Sequence, residues 1–228
     1  MFKEGFIKAL RIAAAALTVA GLGGASFEAR TAQTESAVTR AVDGLQRHYR
    51  ETRSFSAKFV EQIAPVGAPA RTRTGTVYFS KPGRMRWEFD EPSKELIVSD
   101  GELLYNYDPE LNQVIEAPLT QALRSPGATE FLLGVGDLSR DFNPSLVGGA
   151  SSDGLLHLKL APKKPGSTVE LGLEEKSYDI RTIRVTDQLG NVTFLKLANI
   201  ESNHALPDSM FAFSPPAGAD VVRSTPAR

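Results

Sequence analysis

Alternation of polar and apolar residues dominates this chain, and it is most regular at Arg84-Met85-Arg86-Trp87-Glu88-Phe89-Asp90. Successive side chains of a strand point to opposite faces, so this stretch predicts a strand with a wet side and a side carrying Met85, Trp87 and Phe89. The pattern recurs. Phe55, Ala57 and Phe59 alternate with Ser56 and Lys58; Leu156, Leu158 and Leu160 with His157 and Lys159; Val169, Leu171 and Leu173 with Glu170, Gly172 and Glu174. Such repeats predict one extended antiparallel sheet with a single apolar face. That face must be covered, and what covers it is the functional question.

Turn residues divide the strands. Between Phe55 and Glu116 the punctuation falls at Pro65 to Pro69, Lys81-Pro82-Gly83, Glu91-Pro92-Ser93, Asp100-Gly101 and Asp108-Pro109, which predicts about six strands in a meander. Asp100-Gly101, between Leu96-Ile97-Val98 and Leu103-Leu104-Tyr105, is a tight-hairpin signal because both residues tolerate positive φ. Ahead of the strands, Ala37, Val38, Ala41, Val42, Leu45 and Tyr49 form a 3.6-period stripe, predicting a helix from Ser36 to Thr52 with Ser36 as its cap and Arg47 and Arg50 near its C-terminus. Leu119 to Arg124 and Thr129 to Val135 break the strand period and predict two short helices in mid-sheet, separated by Ser125-Pro126-Gly127 and closed by Gly134 and Gly136. The strand pattern resumes at Asp141, turns at Leu189-Gly190-Asn191 and closes with Phe211-Ala212-Phe213.

The N-terminus predicts export. Lys3, Lys8 and Arg11 precede an apolar run from Ile12 to Leu22 and the small residues Gly23-Gly24-Ala25, the layout of a cleaved signal peptide. The run of roughly 11 residues falls short of the ~20 that span a bilayer. Cleavage near Ala25 would remove three positive charges and Glu4, taking the net charge from -1 to -3. The expected organisation is a signal peptide over 1–25, a flexible lead-in over 26–35, one domain over 36–214 and a Pro-rich tail over 215–228.

Composition narrows the chemistry. A chain of 228 residues, 41% hydrophobic, suffices for one all-β domain with a sizeable core. Its 26 Lys+Arg are spread among 27 Asp+Glu with no basic stripe to track phosphates, so nucleic acid is not an expected partner. The absence of Cys excludes a disulfide framework and a lipidated N-terminal Cys, so a soluble mature protein is expected. No Gly-x-Ser-x-Gly occurs, and His48, His157 and His204 are far apart without a flanking acid at a recognisable spacing. No catalytic residue is assigned, and no metal or cofactor is expected, because His-x-x-x-His and Asp-x-Asp-x-Asp-Gly are both missing. An apolar sheet face roofed by helices is a solid core if tightly packed and a lipid-sized cavity if loosely packed; periodicity leaves both open.

The run from Gly75 through Tyr-Phe-Ser-Lys-Pro-Gly-Arg-Met-Arg-Trp-Glu-Phe-Asp-Glu-Pro92, continuing through Leu96-Ile-Val-Ser-Asp-Gly-Glu-Leu-Leu-Tyr-Asn-Tyr-Asp-Pro109, resembles the outer-membrane lipoprotein carrier (LolA) family. Leu45 to Tyr49 with Phe55-Ser-Ala-Lys-Phe59, Phe131-Leu-Leu-Gly-Val-Gly-Asp-Leu138 and Phe211-Ala-Phe-Ser-Pro-Pro216 extend the resemblance over the mature chain. The resemblance implies a mainly β fold, a single open, unclosed antiparallel half-barrel with helices as a lid over an apolar cavity. It also implies a monomeric periplasmic chaperone that carries acylated lipoproteins from an inner-membrane ABC-type exporter to an outer-membrane acceptor similar to LolB. By the same resemblance Phe59, Met85, Trp87 and Phe89 would line the cavity, with Leu45 and Tyr49 on the first helix and Leu119, Leu123, Phe131, Leu132 and Leu133 on the lid.

At ~0.8 kcal/mol per buried CH₂, part of one acyl chain in a dry pocket outweighs most polar contacts, so the lid's closure must compete with lipid if cargo is to be released. Lys81 stands where the family carries an Arg before Pro that latches the lid backbone. A Lys offers three donors on a point charge instead of a planar fork, which implies a looser latch or different partners. Two related readings stay open: the same fold carrying a different acylated or glycolipid cargo, and a periplasmic lipid-sensing regulatory module.

Overall fold

The computed structural model describes residues 24–122, 138–148 and 152–224. Twelve strands form one sheet in the order β12-β6-β5-β4-β3-β2-β1-β11-β10-β9-β8-β7, whose first and last strands do not meet. The fold is therefore an open, unclosed barrel, as the family resemblance implies. Six strands, β1 (Ser54–Ala64), β2 (Arg71–Ser80), β3 (Arg84–Glu91), β4 (Leu96–Asp100), β5 (Leu103–Asp108) and β6 (Gln113–Pro118), follow one another as the expected meander. Asp100 shows how the sequence builds a turn: its carboxylate accepts the Glu102 and Leu103 amides at 2.8 and 2.9 Å, while Gly101 takes φ 107°.

The second half comprises β7 (Phe142–Leu146), β8 (Leu156–Pro162), β9 (Thr168–Leu173), β10 (Ile180–Thr186) and β11 (Val192–Ser202), and β11 returns to pair with β1 from Phe55↔Ser202 to Ala64↔Val192. The register slips between Ser56 and Lys58, and opposite that slip Asn199 adopts φ 52°. Such a bulge bends and twists a strand.

Alternation translates directly into burial. Phe55, Ala57, Phe59, Val77, Phe79, Met85, Trp87 and Phe89 of the first half share one core with Leu158, Leu160, Val169, Leu171, Leu173, Ile183, Leu195 and Leu197 of the second. We call this the inner face. Helix α1 (Gly24–Glu51) lays Ala41, Val42 and Leu45 on it, and the short helices α2 (Leu119–Ala122) and α3 (Leu138–Asp141) add Leu119 and Leu138. Gly75 on β2 serves this packing: a Cβ there would meet the Glu88 carbonyl at 2.0 Å and the Phe59 ring at 2.8 Å.

Three sequence expectations need correction. The first helix starts at Gly24, not Ser36, so residues 26–35 continue its backbone instead of forming a flexible lead-in, and Ser36, lying mid-helix, accepts from the Arg40 guanidinium instead of capping. Phe211 does not close the sheet as a strand; it ends a 3₁₀ turn, Asp208–Phe211. Nor are residues 215–228 only a tail, because Asp220–Arg223 form β12, which pairs in parallel with β6. Alternation could not reveal β12, whose four residues are too few to show a period. The predicted helix Thr129 to Val135 and residues 1–23 lie outside the described residues.

Candidate functional site

The inner face of β1–β3 is an aromatic sheet within the sheet. Phe59 meets Trp87 at 4.9 Å and Phe89 at 5.2 Å between ring centroids, Phe55 stacks on Phe79 at 4.7 Å, and Phe79 stands edge-on to Trp87 at 6.1 Å. The cause lies in register: Phe55↔Phe79 and Phe79↔Met85 are cross-strand partners, as are Val77↔Trp87 and Phe59↔Gly75, so inward rows of adjacent strands fall side by side. In the second half the inner face is aliphatic, and Leu158, Leu160, Leu171 and Leu173 are fully buried. Together they give a continuous hydrocarbon-like surface.

Of the residues singled out in the sequence, the structure brings together Leu45, Phe59, Met85, Trp87, Phe89 and Leu119 in this one core, with Tyr49 packed against its margin. Leu123, Phe131, Leu132 and Leu133 lie outside the described residues. Phe79, outside the residues singled out in the sequence, lies on the same face, and the alternation of Val77 and Phe79 with Tyr78 is the signal that finds it; Phe55 and the aliphatic rows are legible as strands, and only the fold makes them lining.

Four contacts fasten the C-terminal part of α1. The Lys81 amine donates to the Tyr49 carbonyl and, at 3.5 Å, to the Arg50 carbonyl, so a cation sits at the negative end of the helix dipole. Partial burial pulls the Lys81 ammonium below its usual range. His48 Nε2 lies 3.1 Å from Asp179 Oδ1 at the start of β10, and this hydrogen bond holds the Asp179 carboxyl below the ordinary carboxylate value. The Tyr178 ring, on a left-handed residue of the β9–β10 turn, lies so close over Gly44 that a Cβ there would come within 2.3 Å of it. The Tyr49 hydroxyl accepts from the Ile180 amide at 3.5 Å, and burial pushes its pKa up. Lys81, Tyr49, Phe55, Phe79 and Arg84 also line a crevice of only about 10 Å³, room for about one water.

The basic residues of β2 and β3, Arg71, Arg73, Arg84 and Arg86, are divided between the two faces of the sheet. Arg73 points inward and pairs with Glu61 at 2.6 Å and Glu95 at 3.1 Å. Arg84 and Arg86 face outward: Arg84 pairs with Asp208, and Arg86 pairs with Glu88 at 2.7 Å and donates to the Met210 carbonyl at 3.1 Å. Arg71 is exposed. His157 lies between Asp153, four residues earlier, and Glu170 of the neighbouring strand, at 3.1 and 3.3 Å, on the polar side of β8, and the second contact is one that only the fold creates. Among the described residues no cluster of His, Asp and Glu is arranged to hold a metal ion, and no helix is long and apolar enough to cross a membrane.

Residues 50–214 match the family model described as outer membrane lipoprotein carrier protein LolA. A protein of Dechloromonas aromatica named outer-membrane lipoprotein carrier protein is 36% identical over 184 residues, covering 80% of this chain and 87% of its own. A relative of the same name from Cupriavidus pinatubonensis is 33% identical over 197 residues, covering 84% and 92%. Among solved structures, an uncharacterized conserved protein from Thermus thermophilus shares the fold at TM-score 0.53 and 17% identity, covering 82% of this chain and 99% of that one. With the matched segment running from the end of α1 to just past the 3₁₀ turn, and thus containing the whole aromatic inner face, the chain belongs to the LolA family of outer-membrane lipoprotein carriers.

Proposed function

We propose that this protein is a periplasmic chaperone that binds the acyl anchor of lipoproteins and ferries them to the outer membrane. The observation that carries the reading is the continuous apolar inner face of an unclosed sheet, roofed by a helix whose attachment is a few side-chain contacts. Ala41, Val42 and Leu45 offer the sheet the same chemistry as an alkyl chain, so helix and guest compete for one surface at ~25 cal/mol per Å². Loading requires α1 to lift; release is driven by its return. Lys81, His48 and Gly44 are the points where that return is secured, with Lys81 the latch. The lining comprises Leu45, Tyr49, Phe59, Met85, Trp87, Phe89 and Leu119, with Leu123, Phe131, Leu132 and Leu133 completing the lid.

The role needs no catalysis. It needs an inner-membrane ABC-type exporter as donor, an outer-membrane acceptor similar to LolB, and export of the chain by a signal peptide over residues 1–25. The test is depletion followed by separation of the two membranes. Lipoproteins stranded in the inner membrane are expected; normal sorting would exclude a general carrier and leave a specialised acylated cargo or a sensing role.

A further inference from the structure

One charged cluster on the inner face has no part in holding an alkyl chain. Glu61 of β1 and Arg73 of β2 are cross-strand partners two residues beyond the Phe59↔Gly75 pair, and Arg73 also reaches Glu95 in the β3–β4 turn. The side chains are 16% (Glu61), 25% (Arg73) and 26% (Glu95) exposed. These ions are only partly withdrawn from water, but they sit at the margin of an otherwise apolar face, where apolar residues would pack without them.

The Arg73 guanidinium lies 4.2 Å over the Phe89 ring, and Phe89 adjoins Phe59 and Trp87, so the cluster is continuous with the aromatic surface. Beside it opens a recess of about 340 Å³ lined by Ile63, Arg71, Thr72, Arg73, Pro92 and Glu95. Arg73 spends its Nε and both terminal nitrogens on Glu61 and Glu95, yet a guanidinium has five N–H groups, so two donors remain beside those of exposed Arg71. The recess therefore offers donors to acceptors. Glu61 and Glu95 neutralise Arg73 and weigh against a second carboxylate.

We propose that this recess is the subsite for the polar end of the guest: the ester and amide carbonyls that join acyl chains to the first residues of the cargo. The assignment also orients the guest, with its polar end at the β1–β2 hairpin end of the sheet and its chains running along Phe89, Phe59 and Trp87 toward Phe79 beneath α1. It rests on the carrier function proposed above.

The full chain is tested with two probes: diphenylhexatriene, a hydrocarbon without acceptors, and a synthetic dipalmitoylglyceryl-cysteinyl tetrapeptide with neutral side chains. In Arg71→Gln and in Arg73→Lys the lipopeptide is expected to bind roughly tenfold more weakly, the worth of one hydrogen bond from a charged donor, while diphenylhexatriene binds as before. Arg73→Lys keeps the charge between Glu61 and Glu95 but loses the fork; exposed Arg71→Gln carries the test should Arg73→Lys not fold. Lipopeptide affinity unchanged in Arg71→Gln overturns the subsite, as does an equal loss for both probes, which marks a packing role. If the unmodified protein takes up neither probe, the carrier reading falls and this inference with it; uptake of both with no selective loss overturns the subsite alone.

Discussion

The two faces of the first half of the sheet are both apolar in part, and each is covered by a different device. On the inner face Met85, Trp87 and Phe89 share one core with Ala41, Val42 and Leu45 of α1, which is fastened by Lys81, by His48 on Asp179 and by Tyr178 over Gly44. On the outer face Val98, Val114, Tyr105 and Tyr107 lie beneath the C-terminal segment, where Phe211 is fully buried and Phe213 meets the tyrosine rings at 5.2 and 6.2 Å. That cover is sewn on. Backbone pairing of β12 with β6 is joined by Asn112 donating to the Gly218 carbonyl, Gln113 to Asp220 and Gln121 to Ser224. A cover held by a ladder of backbone hydrogen bonds cannot leave without orphaning many of them, each costing about 1–3 kcal/mol when buried. One held by a few side-chain contacts over a hydrocarbon surface can, provided another hydrocarbon takes its place.

Truncating one aromatic on each side is the strongest way to break this comparison. Phe211→Ala and Trp87→Ala should each lower unfolding stability by about 3–5 kcal/mol in denaturant titration. Only Trp87→Ala should also weaken uptake of a fluorescent hydrocarbon; equal loss of uptake in Phe211→Ala would show that the outer cover is no mere seal. Next in size, Gly75→Ala should cost about 3 kcal/mol, because the backbone carbonyl of Glu88 cannot retreat as a side-chain tip can. A melting temperature unchanged by that substitution would mean that β2 and β3 separate easily there.

Smaller changes address the fastening of α1. Lys81→Leu removes a donor from two helix carbonyls, worth about 1.5–3 kcal/mol for a charged donor, and should leave loading of lipoprotein intact while slowing transfer to an acceptor. Unchanged transfer kinetics would take Lys81 out of the latch. The smallest effect is pH-dependent. Asp179 titrates below its ordinary value of 3.8 in the folded chain, so its contribution is fully present above that value and is lost as pH falls through the depressed folded one. Asp179→Asn should therefore flatten the acid limb of a stability-versus-pH curve by lowering stability at neutral pH while leaving the acid end nearly unchanged; an identical acid limb would show that His48 does not hold the helix.

How much of this was legible in the sequence depends on range. Met85-Trp87-Phe89, Asp100-Gly101 and the stripe Ala41-Val42-Leu45 were readable because strand alternation, turn chemistry and helix period act over a few neighbouring residues. The start of α1 was misplaced because Ser36 looks like a cap, and a hydroxyl suited to a cap is tolerated mid-helix once it finds Arg40. The outer cover was missed because β12 has four residues and Phe211-Ala-Phe213 mimics strand alternation.

Taken alone, the sequence determined which residues face inward and that the inward surface is hydrocarbon, since side-chain direction follows from local backbone geometry. The tertiary structure alone decided which cover sits on which face: the register that brings Glu61, Arg73 and Glu95 together, the placement of Lys81 against the end of α1 and the parallel seat of β12. Those contacts join residues as much as 107 positions apart, as Asp220 is from Gln113, and a pairing between distant segments leaves no periodic trace in either one.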